Sequence, residues 1–241
     1  YRQSGDIDVG GNAGWEKGMD YVNSLTPNRE FDIKHTHLNV FDDTVVEVHW
    51  WPSSPTNPFI RKRIYHHYTQ QAIIQCKNHQ KLPTGQGDIT VPDAKFQAIH
   101  VLGHIFSHFL YEGVGLRHMM DLYFVLDNGG LTEEDRKDVW KLAQDFGYSR
   151  FAPAAMWVLT EVMGMSPEKC ICPPYRKQGL NLLEEIMEGG NLGRHSKENK
   201  VSGENWPHRM IRRTKRKTRL FKYNPLGVIC SPITKLQILA W

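Results

Sequence analysis

No apolar run in this sequence approaches the roughly 18 to 20 residues that a bilayer-spanning helix needs, so no membrane span is expected. The first residues lack the basic-then-apolar pattern of a secretory leader. Cysteine is scarce: Cys76, Cys170, Cys172 and Cys230 show no Cys-x-x-Cys spacing and are too few to staple a chain of 241 residues, which excludes a disulfide scaffold and a zinc ribbon. Reduced thiols and a cytoplasmic location are the expectation. Internal repeats and low-complexity tracts are also absent, which excludes a solenoid. What remains is ordinary for a globular protein, with 40% apolar and 23% charged residues.

One local absence is sharper. From Trp206 to the end there is no acid, while nine of the 30 Lys and Arg fall there, leaving 21 bases against 26 acids (a net of −5) in the preceding part. The block from His208 to Lys222 could grip nucleic acid or an anionic surface. It lacks the interleaved aromatics on which single-stranded bases stack, and the preferred reading is a solvated helix whose charges pair with the acidic body.

The first positive signal is Gly5-Asp6-Ile7-Asp8-Val9. Alternate side chains of a strand share a face, so Asp6 and Asp8 point one way while Ile7 and Val9 are expected to turn toward a core. Paired carboxylates suit Mg²⁺, a hard cation that takes a few carboxylates together with substrate phosphates. An Asp-x-Asp pair alone is also what a solvated turn contains. A second acid-bearing strand follows in Val45-Val46-Glu47-Val48-His49-Trp50, with Glu47 and His49 on one face and Val46 and Val48 on the other.

The pattern divides the chain near position 90. Before it, Trp15 to Leu25 has helical spacing, Ile33 to Val40 and Val45 to Trp51 read as a hairpin turning at Asp42-Asp43, Phe59 to Tyr68 reads as a helix, and Ala72 to Lys77 fits strand or helix. After it the sequence is helical: Asp93 to Tyr111, Leu116 to Leu126, a helix capped by Thr132, Phe151 to Met165, Tyr175 to Met187, and a basic helix from near Trp206. The expected domains are residues 1–90, a mixed α/β lobe, and 91–241, a helical lobe ending in the basic helix.

The two acidic strands resemble those of the polymerase-beta-like nucleotidyltransferase superfamily, and the chain is similar to a family of largely uncharacterised bacterial nucleotidyltransferases within it. Further matching places are Leu82-Pro83-Thr84-Gly85, His104-Ile105-Phe106-Ser107-His108, Gly113-Val114-Gly115-Leu116-Arg117-His118 with Asp121, and Gly189-Gly190-Asn191-Leu192-Gly193. The resemblance implies an α+β fold: a nucleotidyltransferase-type mixed sheet with helices, followed by a helical lobe. It implies transfer of a nucleoside monophosphate from a nucleoside triphosphate to a hydroxyl acceptor, with Mg²⁺ or Mn²⁺ held by Asp6, Asp8 and Glu47. Relatives carry a phosphate-cradling turn upstream of the Asp pair, and only five residues precede Asp6 here. The expectation is therefore a truncated or partly recorded protein whose catalytic lobe lacks its N-terminal part.

Around that core, His49 either orients the acceptor or serves as a general base, or is simply a polar face residue. Arg2 could touch phosphate bidentately or be solvated; Ser4 and Gly5 lie beside it on the substrate side. His100, His104 and His108 recur every four residues on one helix face, which is metal-ligand spacing. The zincin signature needs a glutamate where Val101 stands, so a zinc-dependent hydrolase is the alternative and buried, hydrogen-bonded histidines the simpler account. His104, His108, Arg117, His118 and Asp121 are expected to line the substrate cleft. The Gly113-x-Gly115 turn is no phosphate loop, because no Gly-Lys-Ser/Thr follows and it joins two helices. A third possibility is a non-catalytic binding subunit that uses the basic tail.

Overall fold

A computed structural model describes residues 6–10, 14–26, 35–38, 40–50, 55, 57–83, 85–111, 113–190, 211, 214–216 and 218–230, and gives only the backbone of Asp6 and Trp15. The fold is mixed α+β. The chain forms two compact units, one up to Pro92 and one from Asp93 to Pro232.

The first unit is built on a three-stranded sheet in the order β1-β3-β2, from β1 (Asp6–Gly10), β2 (His35–Leu38) and β3 (Val45–His49). Strand β3 is central because its alternation is strict: Val46 and Val48 are buried while Glu47 and His49 face the other way. Those valines pack with Leu38 of β2 and Val22 of α1 (Gly14–Leu25) into a small apolar cluster. The β2–β3 pair is antiparallel and β1–β3 parallel. Ile7 and Val9 share the register of Val46 and Val48, yet they remain 42% and 45% exposed. The expectation that they enter a core is corrected: among the described residues β1 is an edge of this sheet, and an apolar residue there is buried only if something covers it.

Helix α2 (Pro58–Gln75) starts at Asn57, whose side chain accepts from the Phe59 and Ile60 amides, with Pro58 in the first turn where its missing N–H costs nothing. It continues without a break through Ala72, Ile73 and Ile74, so the ambiguous stretch there is helix. The short hairpin of β4 (His79–Lys81) and β5 (Asp88–Thr90) was not expected from the pattern. At its turn the Leu82 amide donates to the Gly87 carbonyl at 2.9 Å, and Gly85 and Gly87 take positive φ.

The second unit packs helices around α3 (Ala94–Tyr111), whose Ile99, Leu102, Ile105, Phe106 and Phe109 are buried. Around it lie α4 (Leu116–Asn128), α5 (Glu133–Asp145), α6 (Ala152–Trp157), which runs into a π turn at Val158–Val162, and α7 (Arg176–Gly189). Helix α5 opens with the cap anticipated at Thr132, here part of a capping box: its hydroxyl accepts from the Asp135 amide at 3.1 Å, and the Asp135 carboxylate accepts from the Thr132 amide. The Gly113-x-Gly115 turn is the expected local device, with Gly113 at φ 136° and Gly115 as the N-cap of α4.

Part of the basic tail is fastened to this unit. Arg219 and Arg216 reach Glu185 on α7 at 2.8 and 3.4 Å, and Arg216 also donates to the Phe109 carbonyl at 2.6 Å. The Tyr223 ring meets Phe109 edge-on, with centroids 4.9 Å apart. These basic residues thus pair with the acidic body as preferred above; residues 206–210, 212, 213 and 217 of the tract lie outside the described residues. Among the described residues no helix is long and apolar enough to cross a membrane.

Candidate functional site

The polar face of the three-stranded sheet carries a close group of titratable side chains. Strand register explains it. Asp8 pairs with Glu47, and Glu47 in turn with His37, so these three form one row across β1, β3 and β2; Gly10, His49 and His35 form the next row. Because the side-chain period of a strand is two, both rows lie on one face, opposite the valine core.

The contacts converge on His49. Its Nε2 lies 3.0 Å from Asp8 Oδ1 and 3.1 Å from Glu47 Oε2. Ionised carboxylates only accept, so this nitrogen carries the hydrogen and shares it between two acids from different strands. His35 Nε2 is 3.6 Å from the same Glu47 oxygen and His37 Nε2 is 3.6 Å from the other. The His35 and His49 rings lie 4.8 Å apart. Side-chain exposure rises from about a fifth at Glu47 and His49 to 53% at Asp8, so the group opens to solvent on the β1 side.

The electrostatics follow from the contacts. Burial acts to lower the pKa of His49, but the Asp8 hydrogen bond and the Asp8 and Glu47 charges outweigh it, so His49 is raised above the ordinary histidine value. The two carboxylates thus favour the protonated His49 ring.

Among the described residues, His35, Glu47 and His49 form the group of potential metal ligands whose donor atoms all lie within 4.8 Å of one another. His35 and His37 were missed in the sequence, though the alternation His35-Thr36-His37 mirrors Glu47-Val48-His49. Only the register of β2 against β3 brings the two patterns together.

The other candidates fall elsewhere. Arg2, Ser4 and Gly5 lie outside the described residues, and Asp6 is placed by its backbone alone, opposite Val45. In the second unit, His104 and His108 of α3 meet Nε2 to Nε2 at 2.9 Å, so one ring donates and the other must offer a lone pair. The buried His118 of α4 stands with its ring 4.9 Å from His108 and accepts the Gly115 amide on Nδ1 at 3.2 Å. Arg117 is exposed and Asp121 half-buried on the same helix. His100 stacks on Phe96 instead of joining a ligand trio. The donors of His100, His104 and His108 form no group within 4.8 Å, since His104 and His108 meet each other while the His100 ring stacks on Phe96. The helix thus gives the zinc-hydrolase alternative no assembled centre.

The sequence profile of an uncharacterised nucleotidyltransferase family matches residues 11–164. The matched stretch contains His35, His37, Glu47 and His49 and runs through α3, α4 and α5 into the second unit; Asp6 and Asp8 precede it. No curated protein and no solved structure matches the chain.

Proposed function

Since the chain belongs to this uncharacterised nucleotidyltransferase family, we propose that it transfers a nucleoside monophosphate from a nucleoside triphosphate to a hydroxyl acceptor at the face bearing Asp8, Glu47 and His49. The observation that carries this reading is the meeting of Asp8 from β1 and Glu47 from β3 at a single His49 nitrogen. Two carboxylates held on adjacent strands and joined by a shared positive hydrogen are a donor set that a divalent cation fits, since it would replace the proton as the compensating charge. Asp6, Asp8 and Glu47 would hold Mg²⁺ or Mn²⁺, which neutralises triphosphate charge and favours in-line displacement.

The chain's own residues supply the rest. In the transfer the acceptor oxygen bonds to the α-phosphorus, the bond to the β-phosphate bridge breaks, and pyrophosphate leaves with that electron pair. Glu47, less exposed than Asp8, accepts the acceptor's proton, and His49 holds the carboxylates in place through its shared N–H. By resemblance to the family, Arg2, Ser4 and Gly5 would contact the triphosphate.

The test is a screen of all four nucleoside triphosphates with Mg²⁺ or Mn²⁺, following pyrophosphate release and label transfer to protein, nucleic acid and small hydroxyl compounds. Metal-dependent pyrophosphate release that disappears in Glu47→Gln supports the reading. Release at the wild-type rate in Glu47→Gln overturns it.

A further inference from the structure

Glu47 does not stand among oxygens alone, and its surroundings have a chemistry that a Mg²⁺ site does not need. Two imidazoles flank it, His49 on its own strand and His35 on β2, and the donor atoms of the three lie within 4.8 Å of one another. Mg²⁺ takes oxygen ligands and keeps several waters. Imidazole nitrogen favours borderline ions such as Zn²⁺ and Co²⁺. Two histidines and one carboxylate, with positions left open, are the ligand set of a reactive zinc centre, not of a closed structural one.

The spacing fits. A tetrahedral ion with bonds of about 2.1 Å sets its ligands about 3.4 Å apart. Glu47 Oε2 lies 3.1 Å from His49 Nε2 and 3.6 Å from His35 Nε2, so these two donor pairs stand within a few tenths of an ångström of that spacing, and all three donors lie within 4.8 Å of one another. The backbone is fixed by the β2–β3 ladder, in which His35 is paired directly with His49. An outer-shell partner is also present: His37 Nε2 lies 3.6 Å from the second Glu47 oxygen, where it can orient the carboxylate; Asp8 Oδ1, 3.0 Å from His49 Nε2, would give up that contact to the ion. All three ligand side chains keep only 18% to 21% exposure, which shields the charges without closing the site.

We propose that His35, Glu47 and His49 bind one zinc-class divalent ion, Zn²⁺ or Co²⁺, in preference to Mg²⁺. For its part in transfer the proposal rests on the nucleotidyltransferase reading, because Glu47 belongs to both; binding itself is independent of turnover. On binding, the ion takes the place of the His49 Nε2 proton, which is released to solvent, so one proton or fewer is lost per ion according to pH.

The probe is Co²⁺, titrated into the full chain after chelator treatment and followed by visible absorption. One equivalent should produce the intense bands of a nitrogen-ligated, four- or five-coordinate ion, Zn²⁺ should abolish them, and excess Mg²⁺ should not. His35→Ala and His49→Ala should each weaken binding at least ~100-fold, whereas His37→Ala should keep the bands and lose ~10–100-fold in affinity, as outer-shell partners do. Circular dichroism of each variant shows that it folds, and a Zn²⁺-dependent rise in Tm, present in the wild type and absent in His35→Gln, gives a second readout. Bands that never form, that Mg²⁺ removes, or that survive in both His35→Ala and His49→Ala overturn the proposal. Mg²⁺-dependent pyrophosphate release by a chain that binds no Co²⁺ would overturn it and leave the nucleotidyltransferase reading standing. Stoichiometric Co²⁺ binding by a chain that takes no nucleotide would do the reverse.

Discussion

Replacing Asp8 by Asn should separate the stability of this sheet face from its function. Asp8 Oδ1 and Glu47 Oε2 both lie close to one His49 nitrogen, so the two acids are at most about 6 Å apart, where unit charges repel by ~0.7 kcal/mol in water and ~3 kcal/mol at an effective dielectric of 20. The Asp8 side chain is 53% exposed, which favours the low end, about 1 kcal/mol. Against that relief stands the weakened bond to His49. An amide oxygen still accepts but without charge, a loss of about 1 kcal/mol. The two terms nearly cancel, so Asp8→Asn in chelator should move Tm by no more than ~2–4 °C for a chain of this size.

Function should respond differently. A nucleotide bound with its metal at 100 times Kd stabilises the wild type by about 2.7 kcal/mol, a Tm rise of ~5–10 °C. The variant should show no such rise. The assay is a thermal melt with and without Mg²⁺ and triphosphate. An Asp8→Asn protein that gains the full ligand-dependent rise, or one that unfolds by several kcal/mol without ligand, would refute the argument.

Three further perturbations test other parts of the structure. In metal-free protein the His49 ring should titrate above ~6.5 by NMR, and Asp8→Asn should bring it down. Since the folded value lies above the unfolded one, this contribution to stability is complete below ~6.5 and is lost as pH rises through the folded value. Gly179 of α7 has no room for a Cβ, which would overlap the Trp157 ring; Gly179→Ala should cost about 1–3 kcal/mol, read by denaturant unfolding, despite its better helix propensity. Glu185→Gln removes the charge that faces Arg216, whose side chain is only 13% exposed, and should cost about 2–4 kcal/mol, while Lys137→Ala, which breaks a solvated pair with Glu133, should leave the melting curve unchanged.

What the sequence disclosed depended on the length of each pattern. Helix α3, with its apolar residues at 3.6-residue spacing over Ala94–Tyr111, and the Thr132 cap were legible because their causes are local. The alternation of Val46 and Val48 with Glu47 and His49 was legible for the same reason. The histidines of β2 were not, because their meaning lies in the register that sets His35 beside His49 and His37 beside Glu47, a long-range fact no window contains. The exposure of Ile7 and Val9 was hidden too: alternation tells which residues share a face, not whether anything covers it. Ala72 to Lys77 shows another limit: a β-branched pair left it open as strand or helix, and the helix begun at Asn57 carries through to Gln75.

The central claim is that Asp8 and Glu47, from two strands, act together on a metal–nucleotide complex. Its most direct test is electron paramagnetic resonance of Mn²⁺ with a non-hydrolysable triphosphate, comparing the wild type with Asp8→Asn and Glu47→Gln. The account predicts a protein-bound Mn²⁺–nucleotide signal that is lost in both variants. A bound signal that persists unchanged in Asp8→Asn and Glu47→Gln would contradict it.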